Sequence, residues 1–466
     1  MLKTRFRELF ENTRVTVIGI GVSNRPLIEM LLDAGADVTA CDKKTPEALG
    51  EVYGELVGRG VKLSLGEGYL DALDADIIFR TPGMRYDHPA LQKACEAGAR
   101  LTSEMQVFFE LCPAKTVGIT GSDGKTTTTT LIAKLLEASG KTVYLGGNIG
   151  APLLPRLFGM TRDDYCVVEL SSFQLHTMTV SPDISLITNL SPTHLDYHID
   201  EKEYCDAKFN ICLHQKENAV IVTNGMRRTK LDEYLFLKLQ GLSLDKKLAG
   251  KIRTFNGGTV YEEGGVIYCE GREVMAVSDI KIPGRHNVEN YMAAIAALKD
   301  IVSPETVKAL AREFGGVEHR IEFVRELSGV KYYNSSIDSS PSRTLAALSA
   351  FGDKKLTVLL GGYDKNLDYT PLAKGLIDHA KCAILCGPTA VKIKAALLAS
   401  AEYDPATLPI VTVDNYKQSV EYAHQHTEEG DVVLLSPASA SFDAFKNFEE
   451  RGRYFKALVN ALPERE

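Results

Sequence analysis

Residues 116–127 read TVGITGSDGKTT. The first five predict a β-strand, and the residues from Lys125 onward predict a helix that runs to about Ser139. In the turn between them, glycines allow backbone N–H groups to converge on a polyphosphate, and the helix N-terminus adds a favourable dipole. Lys125 can reach the β- and γ-phosphates, and the Thr126 hydroxyl can ligate Mg²⁺. The pattern GxxxxGK[ST] is only partly met over Ile119 to Thr126, since the loop is preceded by Ile119 and Thr120 and not by a glycine. The alternative is a surface turn before a helix.

The same alternation of β-rich runs and helical segments continues on both sides of this loop. The chain has 466 residues, which at about 150 residues per domain suggests three domains. We expect an α/β protein. Residues 1–103 form a Rossmann-like domain, residues 104–316 form a P-loop mononucleotide-binding domain with a mostly parallel sheet plus a small β element, and residues 317–466 form a second Rossmann-like domain.

Predicted strands and helices give this expectation its detail. The small β element is the stretch 252–280, in which Gly257-Gly258 and Gly264-Gly265 indicate hairpin turns. Helices are predicted over Pro26–Ala34 and from Phe442 to Leu462. The predicted strands are Arg14–Ile20, Val38–Cys41, Ala75–Phe79, Thr116–Thr120, Thr142–Leu145, Tyr165–Leu170, Ile184–Asn189, Ala219–Thr223, Val330–Asn334, Thr357–Leu360, Cys382–Cys386, Ile410–Val413 and Val432–Ser436.

Composition excludes several classes of protein. The chain carries 53 Lys and Arg against 61 Asp and Glu, a net charge of -8, so a broad nucleic-acid-binding surface is not expected. It has 9 cysteines and no CxxC pair, and Cys205, Cys212 and His214 do not have zinc-site spacing, so reduced thiols are expected. No apolar run approaches the ~18 residues of a membrane span. We therefore expect a cytoplasmic protein without membrane association.

The N-terminal Gly19-x-Gly21 is the beginning of a dinucleotide-binding fingerprint, but Asn24 stands where the third glycine belongs. Asp42 follows about 20 residues later, where an acidic residue contacts a ribose. The pattern is compatible with a nucleotide-like ligand and equally with an ordinary strand–turn–helix.

Polar residues near other strand ends are further candidates. Glu169 ends an apolar strand, where it can bind Mg²⁺ opposite the phosphate loop or form a solvent-facing cap. His194 follows the next strand as a ligand, a general base or a structural histidine. Lys208 on a predicted helix has the pattern of a surface lysine. Asn287 and Asn290 share one helix face, where they can contact a ligand or cap the helix.

Eight segments occur in one order and together carry a resemblance. They are GITGSDGKTTT, GGNIG, VVELSSFQL, LITNLSPTHLDYH, DAK, IPGRHNVEN, the His319-Arg320 pair and LLSPASASFDAFKNFEERG. Over roughly residues 14–455 the chain resembles the Mur ligase family, the ATP-dependent amide-bond-forming enzymes of peptidoglycan precursor synthesis. ELSSFQL and SPASASFDAFKNFEERG are typical of the member that adds D-glutamate to UDP-N-acetylmuramoyl-L-alanine through an acyl phosphate.

This resemblance implies a set of site residues, given by their functions. Lys125, His194 and Lys208 would be catalytic, with Lys208 carbamoylated. Two Mg²⁺ ions would be held by Thr126, Glu169, His194 and the modified Lys208. ATP would be bound by Gly121, Ser122, Asp123, Gly124, Lys125, Thr126, Thr127, Asn287, Asn290 and Arg320. Substrates would be bound by Val22, Ser23, Asp42, Lys43, Lys44, Gly83 and Asn148 on the UDP side and by Ser339, Lys365, Ser441 and Phe448 on the D-glutamate side. A monomer is expected.

Three departures from the family pattern bear on these roles. Asp123 stands where the family usually has Asn, so we expect its carboxylate to point away from the phosphates. Ser335 and Ile337 replace an Asp and a Lys, which leaves Ser339 as the candidate carboxylate donor of that segment. Lys43 and Lys44 replace Thr-Arg, and a lysine lacks the bidentate fork of arginine.

Other functions fit parts of the sequence. Another ligase of the same family would differ in the C-terminal domain and its amino acid. A P-loop NTPase would need neither His194 nor a carbamoylated lysine. A nicotinamide-dependent oxidoreductase would use Gly19 to Asp42, although the third glycine is missing.

Overall fold

The computed structural model describes residues 2–71, 73–195, 197–244, 251–352 and 356–464. These form two compact units, one of residues 1–275 with 289–307 and the other of residues 276–288 with 308–466. Each unit is built from mixed α/β structure. Among the described residues, no helix combines the length and apolar character needed to span a bilayer.

The first sheet is parallel throughout, with strand order β3-β2-β1-β4-β5. Its strands are β1 (Arg14–Ile18), β2 (Asp37–Asp42), β3 (Lys62–Leu65), β4 (Ile77–Phe79) and β5 (Arg100–Thr102). Its helices are α1 (Leu2–Phe10), α2 (Asn24–Asp33), α3 (Pro46–Leu49), α4 (Glu51–Gly58) and α5 (Pro89–Glu96). The strand order reverses between β1 and β4, and such a switch point is where open α/β sheets place their ligands.

The second sheet has nine strands, in the order β14-β13-β12-β11-β10-β9-β6-β8-β7. They are β6 (Lys115–Thr120), β7 (Val143–Gly147), β8 (Tyr165–Glu169), β9 (Ile184–Ile187), β10 (Val220–Asn224), β11 (Lys251–Phe255), β12 (Val260–Glu263), β13 (Val266–Cys269) and β14 (Arg272–Ala276). The helices are α6 (Glu104–Leu111), α7 (Lys125–Ala138), α8 (Ser172–Leu175), α9 (Glu201–Leu213), α10 (Lys230–Leu244), α11 (Arg285–Leu298) and α12 (Pro304–Glu313), with short 3₁₀ helices at Leu154–Gly159 and Val277–Asp279.

The first two sheets share one apolar core, which fixes the first domain against the second. On α1, Phe6 lies 4.8 Å from Phe10 between ring centroids, and Phe6 also meets Phe158 of the 3₁₀ helix at 5.7 Å. Phe10 contacts Phe79 at the end of β4, at 5.8 Å. Burying such rings stabilises the packing by about 1.5–3 kcal/mol each. The loops at the strand ends of both sheets are therefore held by one rigid support.

The third sheet has the order β15-β16-β20-β17-β18-β19 and is parallel except at β15, which pairs antiparallel with β16. Its strands are β15 (Glu322–Leu327), β16 (Val330–Asn334), β17 (Leu356–Leu360), β18 (Ala380–Leu385), β19 (Ile410–Thr412) and β20 (Val432–Leu435). Its helices are α13 (Pro341–Ser349), α14 (Thr370–His379), α15 (Ala390–Leu398), α16 (Tyr416–His426) and α17 (Phe448–Asn460).

The predicted strands are confirmed with small shifts at their ends, and the α/β class is confirmed. The last helix was predicted too long, because it begins at Phe448 and not at Phe442. Its start is fixed by Asn447, whose side chain accepts a hydrogen bond from the Glu450 N–H at 2.8 Å. The segment before the cap is consequently a loop.

Candidate active site

The loop after β6 is a glycine-dependent turn at the centre of the second sheet. Gly121 has a φ of 148°, and a Cβ built there would lie 1.9 Å from the hydroxyl of Thr188. Gly124 has a φ of 76° and caps α7, and a Cβ there would lie 2.5 Å from Oδ1 of Asn290. Asn290 Oδ1 also accepts a hydrogen bond from Thr128 at 3.1 Å. Only glycine fits either position, so the backbone can approach a ligand closely.

The same loop is braced by the segment that follows β9. The Asp123 N–H donates to Oδ1 of Asn189 at 2.9 Å, and the Asp123 carbonyl accepts from Thr188 at 2.6 Å. The hydroxyl of Ser122 bonds to the carbonyl of Ser191 at 2.9 Å. The Asp123 side chain is exposed.

The cationic side chain of Lys125 lies over this loop. Its Nζ donates to the carbonyls of Gly121 at 3.0 Å and Ser122 at 2.8 Å. Thr126 is half-buried on the first turn of α7, next to the buried Thr127. The loop amides, the start of α7 and an ammonium are thus brought to one place, the combination that binds a polyphosphate.

Glu169 ends β8 beside the loop and is buried, with 1% of its surface exposed. Its Oε1 accepts a hydrogen bond from the Asn148 amide at 2.8 Å. Its Oε2 is buried without a hydrogen-bond partner among the described residues. A carboxylate oxygen buried in this way is costly unless a cation binds it, so the donor fits Mg²⁺, which takes oxygen ligands.

Lys208 is the least expected member of the site, because α9 turns it inward and leaves only 2% of it exposed. Its Nζ donates to Oγ1 of Thr120 at 3.3 Å and lies 4.9 Å from the centre of the Tyr204 ring. Burial, and then the nearby charge of Lys125, hold the pKa of Lys208 well below its usual range, whereas Glu169 acts in the opposite direction. The sequence pattern of a surface lysine is therefore contradicted, and Lys208 belongs to the same cluster as Lys125 and Glu169.

His194 lies in the turn after β9 with a left-handed backbone, at a φ of 57°. Its ring is 5.1 Å from that of Phe173. The neighbouring Thr193 donates to the Tyr204 hydroxyl at 3.1 Å, and Tyr204 in turn contacts Ser122 at 2.8 Å. The His194 segment is thereby connected to the phosphate loop.

The predicted residues of the first domain surround its switch point. Asp42 accepts from the N–H of Ile20 at 2.7 Å and from that of Lys44 at 2.9 Å, so its carboxylate shapes the loop after β1. Asn24 uses its amide to bond the carbonyls of Ile18 and Gly19, which explains why a third glycine is not needed for this turn. The remaining predicted residues of this domain are exposed: Val22, Ser23, Lys43, Lys44 and Gly83.

A second group of potential metal ligands consists of His176, His198 and Glu203. Nε2 of His176 is 3.5 Å from Glu203, and Nδ1 of His198 is 3.4 Å from it. Arg85 binds both oxygens of the same carboxylate at 3.0 Å and is the main reason that the pKa of Glu203 falls to about 2. The carboxylate is already neutralised, so this cluster acts as a structural anchor between the first two domains.

In the second unit, the predicted D-glutamate residues lie on neighbouring loops. Ser441 is buried, and Lys365 extends over the ring of Phe442 at 5.3 Å. The loops that follow β17 and β20 are joined by a hydrogen bond from the Tyr363 N–H to the Ala440 carbonyl at 2.9 Å. Phe448 begins α17, and its carbonyl accepts from Ser336 at 2.8 Å.

The segment 335–338, which departs from the family pattern, contains one buried acidic residue, Asp338. Asp338 is buried and accepts a hydrogen bond from the Ser436 hydroxyl at 2.8 Å. Burial raises the pKa of Asp338 to about 6. Ser339, which is half-buried, follows it at the start of the loop before α13. Asp338 therefore holds this segment onto Ser436, the residue that follows β20.

The ATP candidates Asn287, Asn290 and Arg320 differ in their surroundings. The amide of Asn287, in the first turn of α11, donates to the Pro283 carbonyl at 2.6 Å and so ties this turn to the segment before the helix. Asn290 contacts the phosphate-loop helix, as described above. Arg320 lies in the second unit, where its N–H donates to the Val317 carbonyl at 2.9 Å.

Family models match three consecutive parts of the chain. The MurD-like N-terminal domain matches residues 13–103, the Mur ligase middle domain residues 119–298 and the glutamate ligase domain residues 319–439. The chain belongs to the Mur ligase family. A UDP-N-acetylmuramoylalanine–D-glutamate ligase of Clostridium botulinum is 48% identical to this Mur ligase, over 98% of the chain and 99% of the relative.

Solved structures show the same fold. The UDP-N-acetylmuramate–alanine ligase of Thermotoga maritima has a TM-score of 0.56 at 18% identity, covering 97% of this Mur ligase and 100% of that chain. The MurF ligase of the same organism, solved in complex with ADP, has a TM-score of 0.52 at 18% identity, covering 97% and 96%.

Proposed function

We infer that this Mur ligase uses ATP to join D-glutamate to UDP-N-acetylmuramoyl-L-alanine, a step of peptidoglycan precursor synthesis. The observation that carries this inference is the 48% identity over nearly the full length to a curated ligase of that name. The cluster of the half-buried Lys125 with the buried Glu169 and Lys208, beside a glycine loop, supports the ATP-dependent part of the reaction. We place the enzyme in the cytoplasm, as a monomer.

The reaction needs an activated carboxyl group. A carboxylate oxygen of the terminal alanine attacks the γ-phosphorus of ATP, the bond to the β-phosphate oxygen breaks, and ADP leaves. The amine of D-glutamate then attacks the acyl carbon of the resulting acyl phosphate. The bond from this carbon to the phosphate oxygen breaks, inorganic phosphate leaves, and the amine loses a proton.

The phosphate loop supplies the positive potential for the first step, in which two anions must approach each other. The N–H groups of residues 121–124 and the start of α7 hold the phosphates, and Lys125 neutralises charge that develops on the γ-phosphate. Thr127 is the last residue of this cradle. Asn287, Asn290 and Arg320 bind the rest of ATP.

Two Mg²⁺ ions complete the proposed site. The unpartnered Oε2 of Glu169 and the Thr126 hydroxyl fit one ion, and His194 with a carbamate on Lys208 fits the other. When bound, such ions supply charge neutralisation for phosphoryl transfer.

Burial of Lys208 supports its carbamoylation. A neutral amine attacks CO₂, a C–N bond forms, and one proton is released, which leaves an anionic carbamate. An ammonium at this depth carries a desolvation cost, whereas a carbamate between cations is compensated. Carbamoylation thus converts a repulsive neighbour of Lys125 into a metal ligand.

The three segments take the three substrates. Residues 1–103 bind the uridine diphosphate part, through Val22, Ser23, Asp42, Lys43, Lys44 and Gly83, while Asn148 of the second segment reaches the muramoyl part. Residues 104–316 bind ATP. Residues 317–466 bind D-glutamate through Ser339, Lys365, Ser441 and Phe448, with a lysine for its side-chain carboxylate and N–H groups near a helix start for an anionic group.

The inference is tested by ADP release in the presence of UDP-N-acetylmuramoyl-L-alanine while the amino acid is varied. We expect turnover with D-glutamate and little with L-glutamate, L-alanine, L-lysine or meso-diaminopimelate. Turnover with only one of the others would reassign the specificity within the family. ATP hydrolysis that is indifferent to any acceptor would remove the ligase function.

A further inference from the structure

Arg80 is a buried cation that none of the proposed steps uses. It follows β4, and only 2% of its surface is exposed. Within the described chain, its hydrogen bonds go to carbonyls and hydroxyls and none goes to a carboxylate. Burying a charge is costly even when it is hydrogen-bonded, and Nε of Arg80 is buried without a partner among the described residues, so this side chain is retained at an energetic cost.

Half of its hydrogen bonds fix the turn that comes directly after it. Nη1 donates to the carbonyls of Pro82 at 3.1 Å and Thr81 at 3.4 Å, and also to that of Met84. In a trans peptide the carbonyl of one residue and the N–H of the next point in opposite directions. Since the Pro82 carbonyl faces Arg80, the N–H of Gly83 faces away from it, and Gly83 is exposed.

The other hydrogen bonds of Arg80 reach the second domain. Nη2 donates to the Phe173 carbonyl at 3.2 Å and to Oγ1 of Thr177 at 3.1 Å. These residues belong to and directly follow α8, the short helix after Glu169. Arg80 therefore joins a strand end of the first sheet to a strand end of the second.

Tyr197 makes the same connection from the opposite side. Its hydroxyl lies 3.4 Å from Nη1 of Arg80 and 3.2 Å from the carbonyl of Pro82. The Tyr197 N–H donates to the His194 carbonyl at 3.1 Å. The Tyr197 side chain therefore contacts the turn 81–84, while the Tyr197 backbone is hydrogen-bonded to His194.

We propose that Arg80, with Tyr197 as its partner, is a positioning residue that holds the turn 81–84 ready to bind the uridine part of the substrate and fixes it relative to His194. This proposal rests on the proposed function, because it takes the UDP-sugar as the ligand of Gly83. A lysine in place of Arg80 would keep the positive charge but would lack the planar guanidinium that reaches several acceptors at once. The shape of the guanidinium, and not its charge alone, is therefore required to hold the turn.

The test compares Arg80→Lys and Tyr197→Phe with the wild type. The matched control is Arg59→Lys, because Arg59 is an exposed residue of the same domain that pairs with Asp33. Calorimetry gives the Kd of UDP-N-acetylmuramoyl-L-alanine and of ATP separately, and steady-state kinetics gives kcat and the KM of each substrate. Melting temperatures are recorded for all variants.

We expect Arg80→Lys to bind the UDP substrate about tenfold or more weakly, the cost of losing hydrogen bonds to a buried charged group. The Kd of ATP should stay within about twofold of the wild type. Tyr197→Phe should change the same constants in the same direction but less, and Arg59→Lys should change neither. The KM of the UDP substrate should rise more than kcat falls.

Two results would overturn the proposal: unchanged affinity for the UDP substrate in both variants, or an equal loss of affinity for ATP and the UDP substrate, which indicates a structural role only. Tyr197→Phe keeps the test decisive if Arg80→Lys does not fold. A wild-type protein that binds no UDP substrate would refute the proposed function itself, a result distinct from either of these.

Discussion

Lys208 is a long cationic side chain in a position where a cation is poorly solvated. Its nearest described charges include another cation, Lys125, and its hydrogen bond goes to a neutral hydroxyl, that of Thr120. The lowered pKa favours the neutral amine, which is the form that can react with CO₂. The carbamate that we propose would be anionic and rich in oxygen ligands.

We expect Lys208→Ala to fold and to lose nearly all ligase activity, because the proposed second metal site would lose its anionic ligand. Short carboxylic acids such as formate or acetate should restore part of the activity by occupying the space left by the side chain. Activity is measured by ADP release with and without these acids. The matched control is Lys202→Ala on the exposed side of the same helix, and full activity of Lys208→Ala itself would show that Lys208 has no catalytic function.

At the scale of residues, prediction from sequence succeeds where a motif restricts the backbone. Gly121 and Gly124 have the conformations that their motif requires. Arg80 and Arg451 could not be predicted as buried, because nothing adjacent in sequence distinguishes them from surface arginines. Arg451 bonds the carbonyls of Ser336, Ser439 and Ala440, acceptors that only the folded chain brings together.

Helix α6 shows how an element can contain a titrating group unrelated to the active site. Glu104 begins this helix, is buried, and accepts a hydrogen bond from the Leu154 N–H at 3.3 Å. Burial raises the pKa of Glu104 to about 7. The folded protein therefore retains a proton on Glu104 at pH values where the unfolded chain has lost it.

This difference predicts a pH dependence of stability. The contribution of protonated Glu104 is fully present below the unfolded pKa of 4.5, and it is lost as the pH rises through about 7. Glu104→Gln keeps the acceptor without the charge, so it should stabilise the protein at pH 8, by at most about 3 kcal/mol, and leave it unchanged near pH 4. Urea unfolding of the wild type, Glu104→Gln and the exposed control Glu137→Gln measures this, and equal midpoints at pH 8 would contradict it.

At the scale of elements, prediction depends on how much local signal a segment carries. The long apolar strands were located to within a few residues. Strands β3, β5 and β15 were missed, because KLSL, RLT and EFVREL are mixed in character and become strands only by pairing with β2, β4 and β16. The start of α17 was placed six residues early, since periodicity continues through the loop before Asn447, which caps the helix.

The whole molecule repeats one strand–helix pattern in three sheets, which the sequence predicts from its alternation alone. The stretch 252–280 is predicted as a small β element of hairpins, and the antiparallel pair of β12 and β13 around Gly264-Gly265 confirms one hairpin. The element also extends the central sheet, because β11 pairs in parallel with β10, and β12 is the next strand of the same sheet. Pairing between distant strands depends on the tertiary fold and leaves no local mark in the sequence.

We propose that the chain activates a carboxylate by phosphorylation and then replaces the phosphate with D-glutamate. The most direct test uses UDP-N-acetylmuramoyl-L-alanine labelled with ¹⁸O in its alanine carboxylate, together with ATP and D-glutamate. The inorganic phosphate released is analysed by mass spectrometry or by the isotope shift of its ³¹P resonance. We expect each phosphate released to contain one ¹⁸O atom, and we expect one phosphate to be released for each amide bond formed. Phosphate without ¹⁸O from the labelled carboxylate would contradict it.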